Sequence, residues 1–218
     1  MATPQTVRHL NKVRALNTLF RQRAMTRASL ARSLGLNRSS IGFIVDELLA
    51  DGLVREREIV SSRHSGGQKT GRPGIHVQID PNGGIFLGAE IGVDHVTIAA
   101  IDLAAREIRC DSTPYAVSHY PPIDSVAKVG ALLNAVIGSF RDNAARIKGI
   151  CVAVPALVRD GVVCNGLMLG WRDVELRREL ASTLCADLPI VVENDANAFA
   201  IGETYKGLDM ISFGPNIQ

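Results

Sequence analysis

The chain has 218 residues, room for one large domain or two modest ones, and its 46% hydrophobic and 21% charged content excludes wholesale disorder. The net charge of +2 hides a division, since residues 1–80 hold 13 Lys/Arg against 6 Asp/Glu while residues 81–218 hold 11 against 16. No apolar run approaches the roughly 18 residues that span a bilayer, and the N-terminal MATPQTVRHLNKVRALN lacks the apolar centre of a secretory leader.

A basic first part suits a polyanion, although a solvated basic surface would carry the same charge. Cys110, Cys151, Cys164 and Cys185 are scattered, with no CxxC pair. They are expected to be small buried hydrophobes in a reducing, cytoplasmic compartment, forming neither a disulfide framework nor a metal site.

In chain order, Val13, Leu16 and Phe20 fall on one face of a first helix. Thr26 is placed to cap a short helix carrying Leu30, Ala31 and Leu34, and Gly35 supplies a left-handed stop. After the brief turn Gly35-Leu36-Asn37, Asn37 caps a third helix, in which Ile41, Ile44, Val45, Leu48 and Leu49 recur at helical spacing. Residues 53–60 and 75–79 read as two strands. Three short helices and then a hairpin is the order of a winged helix-turn-helix.

The first turn of the third helix offers Asn37, Arg38, Ser39 and Ser40, short polar groups and one cation, at the end that meets base edges in DNA-reading helices. Its N-terminus adds partial positive charge toward phosphates. A three-helix interaction module would show the same apolar stripe. Between the strands, the Gly/Ser-rich stretch 61–74 reads as a wing tip. Arg63, Lys69 and Arg72 supply charge there for phosphates or a narrow minor groove, and a flexible linker with incidental charge is the alternative.

Past Asp80-Pro81-Asn82 the pattern changes. Residues 85–91, 96–103 and 107–117 read as three antiparallel strands, 123–145 as a helix and 149–154 as a buried strand. A helix over 173–184, a strand at 190–192 and a helix starting at Asp195 complete the order βββαβαβα. That is the order of one half of an actin-like, ribonuclease-H-like fold. The expected class is therefore α/β with an N-terminal α+β winged helix-turn-helix, divided into 1–82 and 83–218.

Winged helix, Gly71-Arg72-Pro73, GICVAVPALV, GWRDVEL and VVENDANAFAIGE, in this order, resemble the ROK family of repressors, open reading frames and sugar kinases. The resemblance runs to about Gly207, and ENDAN is its most specific element. It implies that Asp195 stands where the kinases keep the general base that deprotonates a sugar hydroxyl. It also implies that Asn194 hydrogen-bonds sugar hydroxyls, while Glu193, Asn197 and Glu203 orient the loop or cap and solvate the helix. Without the resemblance, Asp195 reads as a helix N-cap.

The chain departs from the kinase pattern. Where the kinases carry an Asp-x-Gly-x-Thr phosphate loop, it has Glu90-Ile91-Gly92-Val93-Asp94-His95, and Met168-Leu169 stands for the Asn-Leu that reaches the sugar. Asn165 lies three residues early. A second actin-like half, with its glycine-rich nucleotide loop and zinc cluster, is not found in these 218 residues, so a C-terminally truncated form is expected.

The reading is a DNA-binding regulator of carbohydrate genes, in repressor style, with no cofactor, no metal and no enzymatic activity. Its expected partners are double-stranded DNA, a sugar or sugar-phosphate effector and a second copy in a homodimer. An ATP-dependent ROK sugar kinase is the alternative.

Overall fold

The computed structural model describes residues 3–59 and 74–210. The chain separates into two compact units, Met1–Gly83 and Gly84–Gln218.

The first unit runs α1 (Pro4–Gln22), β1 (Ala24–Thr26), α2 (Arg27–Leu34), α3 (Arg38–Ala50), β2 (Val54–Ile59) and β3 (Gly74–Ile79). The local chemistry follows the sequence closely. The Thr26 side chain accepts from Ser29 N at 3.1 Å, Gly35 takes φ +67° where α2 stops, and the Asn37 side chain accepts from Ser40 N at 2.8 Å. Each helix start thus satisfies one otherwise orphaned N–H. Ile41, Ile44, Val45 and Leu48 of α3, Leu30, Ala31 and Leu34 of α2 and Val77 of β3 are all buried, with α3 packing on α2 and β2.

Two features differ from expectation. The buried face of α1 runs through Ala15 and Leu19, both fully buried, with Leu16 and Phe20 half-buried and Val13 40% exposed. Residues two apart on a helix point about 200° apart, so a face centred on Ala15 and Leu19 turns Val13 toward solvent. The sheet also has a third member: β1 pairs antiparallel with β3, giving the order β1-β3-β2. Three residues are too few to carry a readable alternation, so only the pairing partner makes them a strand.

The second unit is built on a five-stranded sheet. β4 (Ile85–Ile91), β5 (His95–Asp102) and β6 (Glu107–Pro114) form an antiparallel meander. After α4 (Pro122–Ser139), β7 (Ile147–Val154) pairs parallel with β4. Next come β8 (Leu157–Arg159), β9 (Val162–Gly166), β10 (Trp171–Val174), α5 (Leu176–Thr183), β11 (Ile190–Asn194) and α6 (Asp195–Met210). β11 lies parallel beside β7, completing the order β11-β7-β4-β5-β6, and β10-β9-β8 form a small antiparallel sheet of their own.

Alternate residues of the large sheet, among them Leu87, Ile91, Val96, Ile98, Val152 and Val192, share one core with Val129 and Leu133 of α4 and with Leu176 and Leu180 of α5. The two helices cross where Gly130 leaves room. A Cβ there would sit 2.1 Å from Thr183 Oγ1.

Two helix boundaries expected in this unit are corrected. The helix expected over 123–145 ends at Ser139, because Arg141 takes φ +46° and the chain continues as a 3-10 turn over Arg141–Arg146. The helix expected from 173 starts at Leu176, since Trp171–Val174 pairs with β9 instead.

The cysteines are free, and Cys110, Cys151 and Cys185 are exposed rather than buried. Cys110 and Cys151 lie on the sheet face away from α4 and α5. There Phe86, Ile101, Ile108 and Val191 are also exposed, by 36, 36, 47 and 59%. No helix among the described residues is long and apolar enough to cross a membrane.

Candidate functional site

Among the described residues, each unit presents a surface whose chemistry suits recognition. In the first unit it is the outer face of α3. Core residues occupy one side of this helix, and ion pairs brace it on both flanks: Arg8 of α1 holds Glu47, and Lys12 holds Asp51 at 2.8 Å. Arg27 reaches both Asp46, at 2.7 Å, and Glu56 on β2, at 2.9 Å. Such exposed pairs add little stability each, but together they fix how the helix stands out from the unit.

Asn37, Arg38 and Ser39 are exposed at its start, and Ser40 is half-buried. Asn37 is occupied as the cap, its Oδ1 accepting from Ser40 N and from Ser39 Oγ, both at 2.8 Å. Arg38 keeps an exposed guanidinium. One residue of this face escaped the sequence reading: Phe43, 68% exposed. The signal was its angle on the helix, opposite the stripe of Ile41, Ile44, Val45 and Leu48. Arg63, Lys69 and Arg72 lie outside the described residues.

In the second unit a cavity of about 430 Å³ opens beside the ends of β7 and β11. Asn194 and Asp195 line it together with Asn165, Ala156, Leu167 and Met168. The carboxyl ends of parallel strands are where α/β folds hold ligands, because the chain diverges there into separate loops.

Asn194 is heavily committed. Its Oδ1 accepts from Ala196 N (3.0 Å) and Asn197 N (3.2 Å), capping α6, and its Nδ2 donates to Ala156 O at 3.1 Å. Asp195 therefore need not serve as the cap. One of its oxygens accepts from Ala196 N at 2.8 Å, and the residue lines the cavity.

Glu193 braces the same junction, its Oε1 accepting from Asn197 Nδ2 (3.0 Å) and Asn194 N (2.8 Å). These bonds, led by that from Asn197, hold its carboxyl below the usual carboxylate range. Glu203 is exposed. Asn165 reaches the cavity because β9 lies between β8 and β10 in the small sheet. Only that pairing reveals it, opposite Leu157 on one side and Arg172 on the other.

The turn joining β4 and β5 is closed. The His95 ring lies over Gly92, 2.5 Å from where a Cβ would stand. Its Nδ1 bonds Asp94 at 2.7 Å, and Glu90 lies 3.8 Å from its Nε2. The Asp94 bond, with Glu90 nearby, raises the imidazole above its ordinary 6.5. The turn thus presents two carboxylates and an imidazole, with the ring over the Gly92 backbone. Among the described residues no cluster of three His, Cys, Asp or Glu is arranged to hold a metal.

Residues 86–210 match the sequence profile of the ROK family. The chain belongs to the ROK family. Over 202 residues it is 26% identical to the xylose repressor of Bacillus subtilis (strain 168), a match covering 92% of this chain and 50% of that protein. It is 36% identical to the glucokinase of Halalkalibacterium halodurans, but over 61 residues, which is 27% of this chain and 18% of that protein.

Among solved structures, a ROK family transcriptional regulator described as a homologue of the E. coli MLC protein superposes with a TM-score of 0.66 at 24% identity. That superposition covers 90% of this chain and 48% of that one. The ROK chain thus spans about half the length of the xylose repressor and of the solved regulator it matches.

Proposed function

We propose that the chain is the operator-binding and effector-pocket portion of a ROK repressor of sugar genes. The first unit acts as a winged helix-turn-helix, with α3 in the major groove and the segment 61–74 as its wing. Arg38, Ser39 and Ser40, with Asn37 holding their turn, face base edges and phosphates. Arg63, Lys69 and Arg72 meet phosphates or the minor groove. Two copies read two half-sites as a homodimer.

One observation carries the reading. The similarity to a xylose repressor runs over 92% of the chain and therefore through the first unit, whereas the similarity to a glucokinase covers 27%. A kinase has no need of the basic helical unit; a repressor does. In the second unit the cavity takes a sugar or sugar phosphate, pentoses such as xylose being the first to try. Asp195 and Asn165 offer groups to hydroxyls, and Asn194 shapes the loop.

The alternative, an ATP-dependent sugar kinase, is favoured by Asp195 at the cavity, where it would act as general base. Against it stands the β4–β5 turn, where His95 occupies the hollow over Gly92 and Glu90 and Asp94 would repel phosphate. No catalytic residue, cofactor or metal is assigned.

The test is binding of the purified chain to genomic-fragment and random duplexes across a salt series, repeated with sugars present. Tight binding to a subset of fragments, loosened by one sugar, supports the reading. Sugar- and ATP-dependent turnover lost in Asp195→Asn, without selective DNA binding, replaces it with the kinase.

A further inference from the structure

On the outer face of α3, Phe43 stands 68% exposed at the centre of the helix's uncovered side. Its ring takes no part in the unit's core, and a large apolar side chain held in water has a use beyond folding. Two of the polar groups around it are committed. Ser39, one turn earlier, donates to Asn37, and Asp46, three residues on, is held by Arg27. Gly42, its neighbour, has nothing within 4 Å of where a Cβ would be, so the helix backbone on this side is open to a close approach.

What α3 offers outward therefore includes this aromatic ring and, at the helix start, the exposed guanidinium of Arg38. Of the groups that base edges display in the major groove, only the C5-methyl of thymine is apolar. We propose that Phe43 is a specificity-determining residue that packs on a thymine C5-methyl group in the major groove. This rests on the reading of the first unit as DNA-binding. It adds a position of preference for A·T pairs that the polar residues at the helix start do not supply. The guanidinium of Arg38 then selects a neighbouring guanine or binds phosphate.

The test selects preferred duplexes for the full chain from a random pool. Each thymine of a selected duplex is then replaced in turn by uracil, which lacks only the methyl. The expected result is a loss of about fourfold in affinity at one or two positions per half-site, the worth of one buried methyl group. Phe43→Ser should bind more weakly and no longer distinguish thymine from uracil at those positions. Its thermal melting should be unchanged, because the ring is outside the core.

If duplexes are selected but no uracil matters, or Phe43→Ser discriminates as the parent does, the proposal is overturned while the DNA-binding reading stands. If no duplex is selected over random sequence, both fall.

Discussion

At the scale of single residues, side chains that look like ligand groups are divided between holding the backbone and facing outward. Asn37 and Asn194 are both caps, and their geometry limits what else they do. Asn37→Ala removes the cap of α3 and should cost about 1 kcal/mol. For a unit of this size that lowers the melting midpoint by about 4–8 °C, readable by calorimetry. Asp195→Asn, by contrast, should leave melting nearly unchanged while abolishing the stabilisation that a bound sugar gives. Equal sugar protection in variant and parent would remove Asp195 from the pocket.

The pair His95–Asp94 yields a pH prediction. With His95 raised above 6.5 and Asp94 lowered below 3.8, the contribution from the protonated imidazole is complete below pH 6.5 and is lost as pH rises through the elevated value. An NMR titration of the His95 ring should show a midpoint above 6.5 that falls toward the ordinary value in Asp94→Asn.

At the scale of elements, the helix caps, the α3 stripe and the strand β4 were legible because each is written locally: a cap residue, a period of 3.6, an alternation. The strand β4 falls on residues 85–91, as its alternation indicates. The hairpin β8–β9 is equally local, though no strand is expected there from the sequence reading. Asp160-Gly161, both at positive φ, form its two-residue turn between Arg159 and Val162, and Asp-Gly between two strands is among the strongest hairpin signals.

Other features had no local signature. β1 exists through β3, and Trp171–Val174 pairs with β9 although its neighbours read as helix. Gly130 is likewise explained only by Thr183, 53 residues away. Gly130→Ala should therefore destabilise the second unit by about 1–3 kcal/mol through overpacking, with partial recovery when Thr183→Ala removes the Oγ1 it strikes. A denaturant titration of the single and double variants checks it. No coupling between them would mean that α4 and α5 do not meet there.

At the scale of the whole molecule, charge and connectivity divide the chain at nearly the same place. The basic excess of residues 1–80 belongs to the unit that α3 serves, and the acidic remainder to the unit with the cavity. Affinity for random duplexes should lie near 10⁻⁴–10⁻⁶ M at physiological salt, to order of magnitude, and fall steeply as salt rises. Arg72→Ala should weaken all sequences alike and flatten the salt slope by about one counterion. Arg38→Ala should cost about 1–3 kcal/mol at one base pair if it reads a guanine. Equal losses on selected and random duplexes for both variants would remove the distinction between reading and positioning.

What the sequence determined by itself is what short-range physics encodes. It set the two-part charge division, the helix starts at Asn37 and Thr26, the apolar stripes, and the ENDAN motif that marks the ROK unit. The tertiary structure alone decided which polar groups remain available. It commits Asn194 to the start of α6, folds His95 over Gly92, brings Asn165 to the cavity through the pairing of β9, and leaves Phe43 in water. The reason is that a hydrogen bond or a burial depends on the partner that arrives, and these partners come from other elements or from backbone turns whose shape the pairing sets.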